Sequence, residues 1–203
     1  SAAGSAAVRS GNTLALTLAV TLNNAVVGSQ QLFAYAHDAG NQASGWQTLG
    51  TWTPGAAANA PPTADSVTPN ASTGASQNLT FRYSSSAGYS NLGVLYALIN
   101  STQAGAYSCL IEYVPASNAL YLFNDPATGV VGQLTPGGGG SLSNSRCTVS
   151  AAGSAAVRSG NTLALTLAVT LNNAVVGSQQ LFAYAHDAGN QASGWQTLGT
   201  WTP

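Results

Sequence analysis

The sequence predicts an all-β chain folded as an antiparallel β-sandwich, and three observations predict it. Period-2 alternation is the first. In Asn161–Leu171, Leu163, Leu165, Leu167, Val169 and Leu171 share one face, and Thr162, Ala164, Thr166, Ala168 and Thr170 the other. A strand with one buried face requires that pattern. Second, no stretch carries the 3.6-residue period of an amphipathic helix. Third, strand-like runs recur about every 10–15 residues between clusters of Gly, Ser, Asn and Pro. That spacing suits a sandwich of seven or more strands.

Taken in order, the chain begins with a repeat. Residues 1–54 recur without a change at 150–203, an offset of 149 in a chain of 203 residues. One such period is long enough for one domain with a real core. The copy at 1–54 is expected to supply three strands, at 12–22, 31–37 and 46–53. Alone they leave the Leu14–Leu22 stripe in water, so they need a front half they do not contain. Residues 1–54 therefore read as the C-terminal half of a preceding identical repeat, and the sequence as a window on a longer tandem array. The alternative is a subunit with a duplicated C-terminal segment.

Residues 55–62 read as a linker, because Gly55-Ala-Ala-Ala-Asn-Ala-Pro61-Pro62 lacks large apolar side chains and its Pro-Pro end favours polyproline II geometry. Residues 63–203 then read as one complete sandwich. In Gln77–Tyr83, Leu79, Phe81 and Tyr83 share a face. Val94–Ile99 is apolar throughout and suits a central strand covered on both sides. Cys109–Val114 and Leu120–Asn124 flank Pro115-Ala-Ser-Asn-Ala119 and read as a hairpin. Leu181–His186 and Trp195–Thr202 complete the set around the turn Asp187–Gly194.

Composition removes several functions. Charged residues make up 4% of the chain, against about 25% in ordinary domains. A net charge of −1 without a basic cluster neutralises no phosphate backbone, so no nucleic-acid partner is expected. No apolar run reaches the length of a membrane-spanning helix, so no membrane insertion is expected. With few groups to titrate or screen, an assembly of such units should respond weakly to pH and salt. The absence of lysine excludes Lys–Asn isopeptide cross-links.

Candidate sites are few. Cys109 and Cys147 are the only cysteines. An even cysteine count suggests a disulfide, two buried thiols being the alternative. Closing that loop would contribute roughly 4 kcal/mol in the chain-entropy model. Only His186 could join the cysteines on zinc, and the scattered acids make a poor calcium site, so no metal and no cofactor are expected. His186, Asp187 and Ser193 contain the residue types of a hydrolase triad. Neighbours on a strand face opposite sides, however, and Asp187 reads better as the opener of a turn. No catalytic residue is assigned. Asn70, Asn78 and Asn100 begin Asn-X-Ser/Thr sequons and are candidate glycan acceptors. Trp195, Trp201, Tyr184, Tyr107 and Tyr113 read either as a sugar-stacking platform or as core and contact residues.

Three segments, Asn118–Asp125, Asn144–Thr148 and Ser193–Thr202, resemble an Ig-like repeat found in very large secreted proteins of environmental bacteria. The resemblance covers most of 61–203. It implies an extracellular or cell-surface β-sandwich used in tandem and offers no catalytic residue to carry over. The expected function is structural: a repeat unit of an extracellular fibre or surface stalk that associates with identical repeats or chains. An adhesin or carbohydrate-binding module is the alternative.

Overall fold

The computed structural model describes residues 4–22, 26, 28–53 and 60–203. Residues 55–59 of the expected linker lie outside them. The chain divides into two units, Ser1–Ala58 and Asn59–Pro203.

Among its described residues the first unit holds two hairpins. β1 (Ala6–Ser10) pairs with β2 (Thr13–Thr17), and β3 (Gln30–Ala34) pairs with β4 (Gln47–Trp52), both antiparallel. Four strands thus stand where three were expected. The strand expected at 12–22 stops at Thr17, and β1 was missed because Ala6-Ala-Val-Arg-Ser10 shows little apolar alternation.

The second unit is all β apart from one 3-10 turn at Tyr89–Asn91. Its strands are β5 (Thr63–Thr68), β6 (Ala71–Thr73), β7 (Ser76–Ser84), β8 (Leu92–Asn100), β9 (Cys109–Val114) and β10 (Ala119–Phe123). β11 (Val130–Leu134), β12 (Ser141–Ser143), β13 (Cys147–Ser159), β14 (Thr162–Leu171), β15 (Gln179–Asp187) and β16 (Gln196–Thr202) follow. They form a five-stranded sheet, β12-β13-β14-β7-β5, and a seven-stranded sheet, β11-β10-β9-β8-β15-β16-β6. All pairs in them are antiparallel except β16 with β6.

Alternation decides which faces meet. Leu79, Phe81 and Tyr83 of β7 lie in register beside Leu167, Leu165 and Leu163 of β14. Across from them stand Leu95, Ala97 and Ile99 of β8 and Leu181, Ala183 and Ala185 of β15, and all twelve side chains belong to one buried core. The expected stripe at Leu163–Val169 is therefore the centre of the sandwich. Thr162 and Thr166 are half-buried and Thr170 is exposed on the opposite face.

With β5, β7, β8, β9, β10, β13, β14, β15 and β16 taken as strands A, B, C, C′, C″, D, E, F and G, one sheet reads A-B-E-D and the other G-F-C-C′-C″. That is the strand order of the variable-type immunoglobulin sandwich. β5 and β6 are one strand that changes sheets through a turn containing a cis Thr68–Pro69 peptide bond. Gly199 lets this crossover approach: a Cβ there would collide with the Asn70 carbonyl oxygen, which accepts a hydrogen bond from Thr200 N at 2.9 Å.

Candidate functional site

The disulfide forms. Cys109 on β9 and Cys147 on β13 have Cα atoms 5.6 Å apart and are fully buried. The bridge ties one sheet to the other, and both its ends lie within 63–149. A second tie closes the far end of β13. Arg158 Nη2 donates to Tyr113 Oη at 2.6 Å and to Asn118 Oδ1 at 3.1 Å, and Tyr113 Oη donates to Asn118 Oδ1 at 2.7 Å. Burial raises the Tyr113 phenol above its ordinary value, and the Arg158 charge offsets part of this.

The outer face of the seven-stranded sheet is the most distinctive surface. Strand parity sends Tyr96 and Leu98 of β8, Leu110 of β9, Phe123 of β10, and Phe182 and Tyr184 of β15 away from the core. Leu98, Leu110 and Phe182 form a small second cluster, with Tyr96, Phe123, Ala127 and Trp195 packed on it. Tyr96 and Tyr184 are register partners. Their ring centres lie 6.0 Å apart, and the Trp195 ring lies 5.4 Å from Tyr184 and 6.2 Å from Tyr96. Burial pushes the Tyr96 phenol up to about 12, and the hydrogen-bonded Glu112 carboxylate adds to the shift.

Of the aromatics singled out from sequence, only Tyr184 and Trp195 meet here. Trp201 and Tyr113 belong to the sandwich core, Trp201 donating from Nε1 to the Gly74 carbonyl at 2.6 Å, and Tyr107 is exposed on a loop. The five therefore do not share one surface. Sequence reasoning missed Tyr96 and Phe123. Their parity against Leu95, Ala97 and Leu122 was the signal that could have found them.

The outer face of the five-stranded sheet is polar and nearly uncharged. Hydroxyl pairs cross it between neighbouring strands: Thr80 with Thr166 at 2.9 Å and Ser76 with Thr170 at 2.8 Å. Asn78 is exposed on this face, and Asn70 is exposed in the β5–β6 turn. Both can present a glycan to solvent. Asn100 cannot do so as folded: it is buried at the end of β8, and its Nδ2 donates to the Ala104 carbonyl at 2.9 Å. The tight loop that follows β8 claims the amide a sugar would need.

His186, Asp187 and Ser193 lie close in sequence but do other work. Asp187 is buried, accepting from Gln191 N at 2.8 Å and from Asn91 Nδ2 at 3.1 Å. Ser193 Oγ accepts from Ala185 N at 2.8 Å and donates to the Gly194 carbonyl at 2.7 Å. His186 pairs with Ala192 through an isolated backbone bridge. The loop Asp187–Gly194 is thus held by its own side chains, as turn chemistry predicts. Among the described residues no three His, Cys, Asp or Glu side chains gather in a metal-binding arrangement, and no helix is long and apolar enough to cross a membrane.

The chain matches no family model, no curated protein and no solved structure.

Proposed function

We propose that this chain is a repeat segment of an extracellular fibre or surface stalk, built from identical Ig-like sandwiches in series. One observation carries the reading. Leu14, Leu16, Leu18 and Val20 of the first copy are exposed, and their duplicates Leu163, Leu165, Leu167 and Val169 make the centre of the sandwich core. A segment that repeats without drift and needs a front half is what a tandem array contains. The path of the sandwich agrees. β5 starts at Thr63, paired with Ser84, while β16 ends beside Thr73. The chain therefore enters at one end of β7 and leaves at the other, as units strung in series require. The cross-sheet disulfide suits an oxidising compartment outside the cell.

Electron microscopy of the native material tests this. The expected image is a beaded filament with a repeat of about 35–50 Å, the length of strands at about 3.3 Å per residue plus loops and linker. Discrete particles would overturn it.

The aromatic patch supports a second reading, an adhesin or carbohydrate-binding module. The half-exposed Tyr96, Tyr184 and Trp195 rings offer stacking surfaces. Micromolar binding on a glycan array, lost with Trp195→Ala, would favour it; silence across the array would remove it.

A further inference from the structure

We infer that residues 4–22 and 28–53 form a docking surface for residues 63–149 of a second copy of this repeat. The inference rests on the fibre reading for its biological setting and on the duplicated sequence for its chemistry.

The second unit displays the docked state. Residues 150–203 supply most of β13 and all of β14, which pairs with β7, and β15, which adds to β8. Leu163, Leu165 and Leu167 then lie beside Tyr83, Phe81 and Leu79, and Leu181 beside Ile99. Two open strand edges are filled at once while one core closes. This is strand addition in which main-chain bonds give affinity and alternate side chains give register.

Residues 4–53 carry the same groups undocked. Leu14, Leu16, Leu18 and Val20 stand 60%, 63%, 62% and 53% exposed. Leu14 and Leu16 lie on a hairpin, and both hairpins already have the docked registers: Leu16 pairs with Ala7 as Leu165 pairs with Ala156, and Gln30 with Trp52 as Gln179 with Trp201. The surface is thus preorganised in its hairpins, and shape complementarity to 63–149 follows from sequence identity. Within these 203 residues the β7 and β8 edges are already paired with β14 and β15, so the occupant is the front half of another copy of the repeat. The disulfide lies wholly within 63–149, so a vacated front half keeps its two sheets tied together.

Stoichiometry gives the test. A polypeptide of these 203 residues holds two back halves and one front half, and 150–203 occupies that front half, which leaves no vacancy before substitution. Leu165→Asp with Leu167→Asp, made in the same 203 residues, empties the front half and leaves the first copy intact. One back half per front half then gives a heterologous contact that need not close, so open head-to-tail chains form. By light scattering after size-exclusion chromatography, the weight-average mass should rise about tenfold or more over about a hundredfold range of concentration, with native near-ultraviolet dichroism returning in parallel. Adding Leu16→Asp and Leu18→Asp to the same chain should abolish both effects. Leu16→Asp with Leu18→Asp alone should leave a folded monomer.

Three outcomes overturn the proposal. The first is an unfolded second-copy variant at every concentration. The second is native structure regained as a monomer. The third is equal mass growth in the four-substitution chain, which signals non-specific aggregation. A filament seen in native material alongside any of these would leave the fibre reading standing and remove only the docking surface.

Discussion

Residues 4–53 and 153–202 are the same amino acids in two surroundings, and they do not do the same thing. Both copies build the same hairpins, down to the bulge between Leu32 and Phe33 and its counterpart between Leu181 and Phe182. Both close the same loop, with Ser44 Oγ on Ala36 N at 2.8 Å and Ser193 Oγ on Ala185 N at 2.8 Å. Beyond the hairpins they part. β14 runs for 10 residues beside β7, while β2 has 5 and ends at Thr17. Leu165 is 1% exposed and Leu16 is 63% exposed. Local turn chemistry is therefore sufficient for pairing and register, while strand length and burial come from residues 63–149.

The widest gap between the copies should appear at tryptophan. Trp201 is fully buried and its indole donates to Gly74, whereas Trp52 is 37% exposed. Trp201→Ala should destabilise the second unit by about 3–5 kcal/mol. Trp52→Ala should change that transition by no more than about 0.5 kcal/mol. Denaturant unfolding of both variants, followed at the remaining tryptophans, measures the difference. Equal losses would mean that the first copy also has a core.

Reduction of the disulfide comes next. The bridge closes a loop between positions separated by 38 residues, and its loss should cost about 4 kcal/mol in the chain-entropy model. The cost falls on the second unit alone, because 1–54 contains no cysteine. Under reductant the thermal transition of the sandwich should drop, while the amide spectrum of residues 4–53 stays unchanged. Movement of both together would contradict their independence.

What the sequence could and could not reveal follows the same division between local and distant causes. Leu163–Val169 and Leu79–Tyr83 were legible because a one-sided core forces alternation. β13 was not. Its pairing with β14 slips between Ser150 and Ala155, and small residues fill that gap, with Ser154 Oγ accepting from Ala168 N at 3.1 Å in place of a regular strand bond. β5 and β6 escaped notice because one strand leaves its sheet at Pro69 for the other. The disulfide was readable by counting, although the facing positions of β9 and β13 are not. Among the aromatics, composition alone could not separate Trp201, which is core, from Trp195, which is surface. Asn100 shows the same limit: its sequon is local, but its burial is set by the sheet.

A smaller contrast lies at glycine. Gly199 faces the Asn70 carbonyl of the β5–β6 crossover, and a Cβ there has no room. Gly50, its duplicate, has nothing within 4 Å of the same position. Gly199→Ala should push the crossover away from β16 and cost about 1–3 kcal/mol, as overpacking does. Gly50→Ala meets no such wall. Loss of the Thr200 amide's protection from exchange, without a matching change at Thr51, would locate the damage. A neutral Gly199→Ala would mean that the crossover moves freely and that β6 adds little.

The smallest effect is the one that can break the comparison, because it should be the same in both copies. Ser44 and Ser193 each bridge a loop by accepting from the amide eight residues earlier and donating to the next carbonyl, with distances of 2.8 and 2.8 Å in one copy and 2.8 and 2.7 Å in the other. Asp38 and Asp187 hold the same loop from its other side, accepting from Gln42 N at 2.7 Å and Gln191 N at 2.8 Å. Removing one such hydroxyl should cost about 1 kcal/mol, a factor of about five in an opening equilibrium. If the hairpins are encoded locally, Ser44→Ala should speed hydrogen exchange at Ala36 by about that factor, just as Ser193→Ala does at Ala185 through local opening. The alternative has a clear signature. A two-stranded ribbon is marginal in water, so a hairpin that needs its core would let Ala36 exchange at the random-coil rate already in the unsubstituted chain, and Ser44→Ala would change nothing. Pairing and burial would then both depend on 63–149, and the first copy would take up its strands only as a front half closes over it.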